Sequence, residues 1–387
     1  MTLLGIEENL TRDYPSSNET QQLLEGNENN DDLHPVRDSL GVVIPITIIY
    51  FLIFVTGVIG NITTCIVISR NKSMHTATNY YLFSLAISDF VLLVSSVPVE
   101  IFFIWYKYPY VFGETFCILR GVAAEASANA TVLTILVFTI ERYMAICHPF
   151  LSHSFSRLSR CVKLIIFIWC LSIFYAVPQA LQFGVVKIRP NMEQCVVVKV
   201  IIQHSFELST FLFFFAPMTL ITVLYILIGL KLRASTMKRE NSSMEKRYHN
   251  TTQSSRRVIK MLVCVVVAFF LCWAPFHAQR LIYIYGTNKN HTASHPIMLK
   301  LYIVMTYISG VLYYLSTCIN PFLYNIMSRK FREAFKSVLF RSTCKKYFVC
   351  LPKTIQSKPV QYSRGASGSL ARDASRQNQT LLKTQER

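Results

Sequence analysis

Asp89, Glu100, Glu125, Glu141, Arg142 and Arg280 stand within, or at the ends of, runs that are otherwise apolar. A charge in such surroundings costs free energy unless something offsets it, so each of these residues is a candidate for function. The pattern does not suit covalent chemistry. No nucleophile–base pair is recognisable, so the chain does not read as an enzyme. The 11 cysteines are scattered without Cys-x-x-Cys pairs or Cys/His spacing, so no zinc site is expected. Most of them (Cys65, Cys161, Cys170, Cys264, Cys272, Cys318) lie in apolar segments, where a free cysteine packs as a small hydrophobe. The chemistry that remains is recognition. Glu100 and Glu125 are expected in the same half of a helical assembly, facing a cavity, and two like charges held close favour a cationic partner. Glu125 has a second option, a pair with Arg280 inside the protein.

The elements that must position these residues are membrane spans. Of 387 residues, 52% are hydrophobic and 16% charged, too apolar for a soluble domain of this length. The central stretch runs from Cys117 to His148. At ~1.5 Å of rise per residue, Cys117 to Arg142 covers roughly 37 Å, enough for a hydrocarbon core of about 30 Å. Six further apolar runs, about 42–69, 77–105, 160–181, 201–230, 258–285 and 299–327, make seven spans. Residues 183–199 are expected to form a polar loop. The net charge of +18 could suggest a nucleic-acid binder, but the apolar runs between the basic clusters exclude that partner. Lys and Arg crowd the loops after spans one, three, five and seven, whereas the first forty residues hold nine acids and two bases. The N-terminus is therefore expected outside and the C-terminus inside.

The fold class is an all-α membrane protein, a seven-transmembrane helix bundle with a short amphipathic eighth helix. Residues 1–40 are expected to be a disordered extracellular tail, 41–327 the bundle, 328–342 the amphipathic helix on the lipid surface, and 343–387 a disordered cytoplasmic tail open to phosphorylation. The start MTLLGIEENL shows no cleavable signal peptide, so the first span is expected to serve as its own signal. Asn9 and Asn18 are glycosylation candidates, whereas the sequons at Asn61, Asn71, Asn129 and Asn378 should stay bare. Cys344 and Cys350, just past the amphipathic segment, are palmitoylation candidates.

Three motifs now carry a resemblance. Glu141-Arg142-Tyr143 ends the third span, Cys272-Trp273-Ala274-Pro275 lies in the sixth and Asn320-Pro321-x-x-Tyr324 ends the seventh. Together they resemble a rhodopsin-class G-protein-coupled receptor over about residues 42–345. The runs SMHTATNYYLFSLAISD from Ser73, ERYMAICHPFLS from Glu141 and GVLYYLSTCINPFLYNIMSRKFREAF from Gly310 are similar to the neuromedin U receptor group and its arthropod pyrokinin and CAPA relatives. Another peptide branch, of ghrelin or neurotensin type, is the alternative. A transporter is more remote, since no internal repeat is seen, and an opsin is rejected because Leu301 to Met327 holds no lysine.

The resemblance implies a receptor for an amidated neuropeptide at the plasma membrane, coupled to a heterotrimeric G protein of Gq type, with arrestin and receptor kinases as further partners. It implies ligand contacts at Glu100 and Glu125, which would take an arginine of the peptide, and at Phe276, His277, Gln279, Arg280, Tyr283 and Tyr314. Activation and coupling are implied for Glu141, Arg142, Tyr143, Tyr225, Trp273, Pro275, Asn320, Pro321 and Tyr324, with Arg142 pairing Glu141 at rest and swinging to Tyr225 and Tyr324. A sodium ion is implied at Asp89, Thr131, Ser316 and Asn320; no other cofactor is expected. Cys117 and Cys195 are the two cysteines expected at the oxidising outer face, where a disulfide is favoured. Tyr110 stands where the resemblance leads one to expect tryptophan, which leaves the packing of the first outer loop open.

Overall fold

The join between the first two helices shows how short polar signals stop one span and start the next. Leu40–Arg70 (α1) ends where Asn71 turns extended, its amide still bonded to the Val67 carbonyl. The Asn71 side chain then accepts the Ser73 amide and hydroxyl, closing the 3₁₀ turn Lys72–Met74. Thr76 caps Ala77–Trp105 (α2) by accepting the Asn79 amide. Gly113–Cys147 (α3) follows a short loop; its first glycine has φ 79°, where a side chain would be strained. Leu158–Ala180 forms α4.

Two strands follow, Phe183–Arg189 (β1) and Met192–Val197 (β2), paired antiparallel with Val185 opposite Cys195. This corrects the expected polar loop: β-branched residues on both sides of Pro190-Asn191 favour a hairpin. Helix α5 runs as Ser205–Thr210, a π-turn at Phe211–Phe215, and Ala216–Met237. It begins later than the expected 201, after His204 in a left-handed conformation. The π-turn directly precedes Pro217, which has no N–H to give the preceding turn. Val266–Ile282 (α6), Pro296–Met327 (α7) and a helix over 331–338 (α8) follow among the described residues. The computed structural model describes residues 37–148, 158–189, 192–199, 201–202, 204–237, 263–264, 266–282, 285, 296–327 and 331–338. All fall within the unit Met1–Leu339; the second unit, Phe340–Arg387, lies outside the described residues. So do Asn9, Asn18, Tyr283, Cys344 and Cys350 and the side chain of Tyr324.

Six of these helices are long and apolar enough to cross a membrane, and Val266–Ile282 is a shorter apolar one. Large apolar residues such as Phe51 and Ile59 on α1, Phe167 and Phe174 on α4, Leu230 on α5 and Val304 on α7 point outward. That inversion suits a lipid surround, where outward apolar side chains cost nothing. Inside, small residues bring helices close. A Cβ on Gly57 would stand 2.6 Å from a Leu93 methyl, so α1 and α2 touch there only because position 57 has no side chain. Asn61, fully buried, bonds the carbonyls of Gly57 (2.9 Å) and Thr317 (3.0 Å) and so ties α1 to α7. In α8, Phe331 and Ala334 are buried with Phe335 and Val338 against the same core, while Arg332 and Lys336 are exposed.

Candidate functional site

The end of the bundle that carries the hairpin, the half expected to face outward, is closed by a disulfide between Cys117 at the head of α3 and Cys195 of β2, the two cysteines expected to pair. The hairpin is held further by the Tyr110 amide on the Glu193 carbonyl, 2.8 Å. Tyr110 itself is buried; its ring stacks on Phe103 (centroids 5.6 Å) and meets Phe112 edge-on, so tyrosine packs at the position where tryptophan was expected. Burial pushes its hydroxyl above the ordinary range, with Arg120 opposing. At the rim, Asp38 ahead of α1 accepts from Lys107 after α2 (2.9 Å) and from Tyr307 on α7. Burial alone would raise the Asp38 carboxyl, but the Tyr307 hydroxyl and the Lys107 ammonium together hold it below its usual range.

Below this rim the candidate ligand residues fall into two ion pairs. Glu125 on α3 accepts from the Arg280 guanidinium on α6, with both side chains about nine-tenths buried. This is the internal pairing that the sequence left as the alternative for Glu125. Glu100 on α2 accepts from Arg120 on α3, and both are 8% exposed. Arg120 was missed at the sequence level. Its signal was available, a cation three residues past Cys117 within the same apolar helix. Two neighbouring tyrosines of α7 accompany the pairs. Tyr314 has Ser96 and Arg120 as hydrogen-bond neighbours, and Tyr313 lies within the electrostatic reach of Glu125 and Arg280.

An aromatic cluster joins the Glu125–Arg280 pair to the middle of the bundle. The Arg280 guanidinium lies over the rings of Phe276 (4.8 Å) and Phe206 (5.1 Å). Phe276 stacks on Tyr313 (4.6 Å), which meets Trp273 edge-on at 5.0 Å. His277 stacks on Phe214 and bonds the Thr210 hydroxyl at 3.2 Å, just before the π-turn of α5. Its Nε2 and the Gln279 Oε1 are buried without a partner among the described residues, although Gln279 donates to Thr306. Glu207 lies apart, toward the surface, with His204 at 3.0 Å.

Deeper, Trp273 donates to Ser316 (3.2 Å), and Ser316 in turn donates to the Tyr313 carbonyl. Asp89, 3% exposed, accepts from Asn320 at 3.0 Å, and Thr131 shares a hydrogen bond with Ser88 at 2.8 Å. Asp89, Thr131, Ser316 and Asn320 together offer one carboxylate, two hydroxyls and one amide oxygen. Oxygen donors with a single negative charge are of the kind that suits a hard monovalent cation, and of these four residues the described contacts join only Asp89 and Asn320 to each other. Pro275 in α6 leaves the Leu271 carbonyl without its helical donor, a bend point between Trp273 and the outer pair.

At the inner end the expected Glu141–Arg142 pair does not form among the described residues. Glu141 instead accepts from the Tyr81 hydroxyl of α2 at 2.7 Å, and Arg142 lies over the Phe138 ring at 5.3 Å. Adjacent residues on a helix point roughly 100° apart, so the two side chains meet different neighbours. The Arg142 Nε is buried without a partner among the described residues, and Tyr225 on α5 lies within its electrostatic reach. Tyr143 faces His148.

Residues 60–324 match the family described as 7 transmembrane receptor (rhodopsin family). The chain is 52% identical over 380 residues to the pyrokinin-1 receptor of Drosophila melanogaster, covering 85% of this chain and 87% of that one. It is 40% identical over 331 residues to the neuromedin U receptor homolog nmur-2 of Caenorhabditis elegans, covering 77% and 79%. With the neuromedin-U receptor 2 of Mus musculus it shares 36% identity over 322 residues, covering 80% and 78%.

Proposed function

Since the chain belongs to the rhodopsin family of seven-transmembrane receptors, we propose that it is a cell-surface receptor for an amidated neuropeptide of the pyrokinin, CAPA or neuromedin U type. The observation that carries this reading is the pair of buried carboxylates, Glu100 and Glu125, each already matched to a guanidinium. A site built to hold guanidinium groups suits a peptide ending in Pro-Arg-X-amide. Glu125 uses one oxygen toward Arg280, and a carboxylate accepts several donors. A peptide arginine would be taken there through charge-assisted hydrogen bonds, while the neutral amide end would meet neutral groups such as Gln279 and His277.

Binding then acts on Trp273. A ligand that draws Glu125 from Arg280 disturbs Phe276 and Tyr313, and through them the Trp273–Ser316 hydrogen bond beside Asp89. A sodium ion held by Asp89, Thr131, Ser316 and Asn320 would stabilise one arrangement of that centre. The bend at Pro275 lets the inner part of α6 move, freeing Arg142 toward Tyr225 and opening a cleft for a G protein of Gq type, with arrestin and receptor kinases acting later. The ligand shifts a pre-existing equilibrium by binding one arrangement better. The N-terminus faces outward at the plasma membrane, with Asn9 and Asn18 glycosylated, and Cys344 or Cys350 anchors the inner tail. The test is calcium release in cells expressing the full chain. Peptides ending Pro-Arg-Leu-amide, Pro-Arg-Val-amide and Pro-Arg-Asn-amide are compared with Arg→Ala controls. A response to one ending that is lost in its control supports the reading; silence from surface-expressed receptor rejects it.

A further inference from the structure

We propose that Phe138 is the positioning residue that holds Arg142 at rest, its ring face standing in for the carboxylate expected to do so. The inference rests on the reading of Arg142 as the group that turns toward Tyr225, and it assigns a role to a residue outside the expected activation set. Glu141 is engaged elsewhere, accepting from the Tyr81 hydroxyl at 2.7 Å. Among the described residues Arg142 makes no ion pair, and its Nε is buried without a hydrogen bond. The contact left to its guanidinium is the Phe138 ring, 5.3 Å from carbon to centroid, inside the ~6 Å over which a cation is drawn to a ring face. Phe138 precedes Arg142 by four residues, so one turn of α3 brings the two side chains onto the same face.

The ring itself has little freedom. Phe138 is 3% exposed and packs against the Tyr81 ring, with centroids 5.6 Å apart. Tyr81 therefore serves both residues of the motif: its hydroxyl holds Glu141, and its ring backs the one under Arg142. The way out lies next to that ring. Tyr225 on α5 has Thr139 as a hydrogen-bond neighbour and lies within the electrostatic reach of Arg142. Residues three and four positions back on a helix are both neighbours of a side chain, so Arg142 can leave the Phe138 face for the Thr139 side without unwinding the helix. A cation on a neutral ring is released at lower cost than one in a buried ion pair, which suits a restraint that must yield.

The probe is a series of full-length receptors in which Phe138 is replaced by phenylalanines carrying one, two and three ring fluorines. Fluorine drains negative charge from the ring face and changes its size little, so it weakens the attraction for a cation selectively. Basal calcium signalling per surface receptor rises with each fluorine and reaches about fivefold, the equilibrium shift that one such contact supports. F138L gives a rise of the same order, whereas F138W, whose ring attracts a cation more strongly, stays at or below wild type. A purely packing role would order the variants by size, with F138W as disruptive as F138L and the fluorine series flat; that result overturns the proposal. A second readout needs no signalling and decides the matter where basal signalling is too low to read. Each fluorine lowers the melting temperature of the purified receptor, and the trend disappears in R142M, which keeps a long side chain without the charge. Equal slopes in the wild-type and R142M backgrounds overturn the proposal. An R142M receptor with undiminished peptide response rejects the reading of Arg142 as the coupling group, and the melting series then decides alone whether Phe138 holds Arg142.

Discussion

The outer and inner halves of the bundle hold buried charge in different ways. Outside, Glu100–Arg120 and Glu125–Arg280 are full ion pairs that cross from α2 to α3 and from α3 to α6. Inside, Asp89 is met by the Asn320 amide and Glu141 by the Tyr81 hydroxyl, while Arg142 rests on a ring. An ion pair in low dielectric is hard to break unless a replacement charge arrives, whereas bonds to neutral partners exchange at lower cost. On the proposed function, the outer half would respond to a charged ligand and the inner half would rearrange when it does. The aromatic path from Arg280 to Trp273 and Ser316 connects the two.

The strongest way to break this contrast is to leave Glu125 unpaired. Arg280→Ala should destabilise the receptor by about 3–5 kcal/mol, read as a lower melting temperature of the purified protein. The swap Glu125→Arg with Arg280→Glu should recover much of that stability without restoring peptide response. A loss no larger than that of a surface substitution would show that the outer pair is not hard to break. Removing the outer disulfide with Cys195→Ala frees a link of 78 residues and should cost about 2–4 kcal/mol, seen as reduced surface expression and thermal stability.

Inner-half effects should be smaller. Tyr81→Phe removes a neutral donor to a charged acceptor and should cost about 1.5–3 kcal/mol. Because it also releases Glu141, basal calcium signalling is expected to rise; unchanged basal activity would separate this bond from the switch. The smallest effect is at the rim. The folded-state Asp38 carboxyl is held below its ordinary value, so its contribution is present above about pH 4, the unfolded value, and is lost as pH falls through the lower folded value. Asp38→Asn should therefore be less stable than wild type at pH 7, with the difference closing below about pH 4. Since Asp38 is one-third exposed, the gap should be slight, and a gap that grows on acidification would contradict the assigned pairing.

Much of the fold is legible along the chain because a bilayer demands long apolar helices, and length plus hydropathy measure that demand directly. The expected second span, 77–105, coincides with Ala77–Trp105, and the first and fourth differ by only one or two residues at each end. The places where expectation and structure part have local reasons. The hairpin at 183–197 was hidden under a polar composition although its β-branched residues flank Pro190-Asn191. The head of α5 shifted because His204 takes a left-handed turn.

By itself the sequence determined the class of the protein, the number and order of its spans, the motifs that it shares with its family, and the identity of its buried charges. Those are properties of residue type and spacing. Only the tertiary structure decided which charge meets which: that Glu100 belongs to Arg120, Glu125 to Arg280 and Glu141 to Tyr81. Partner choice between helices depends on how each helix is rotated about its axis, and that rotation is set by packing at contacts such as Gly57 on Leu93 and Asn61 on Thr317. A 100° step per residue turns a small rotation into a different neighbour, so the pairing is written in the assembly of the helices and not in any one of them.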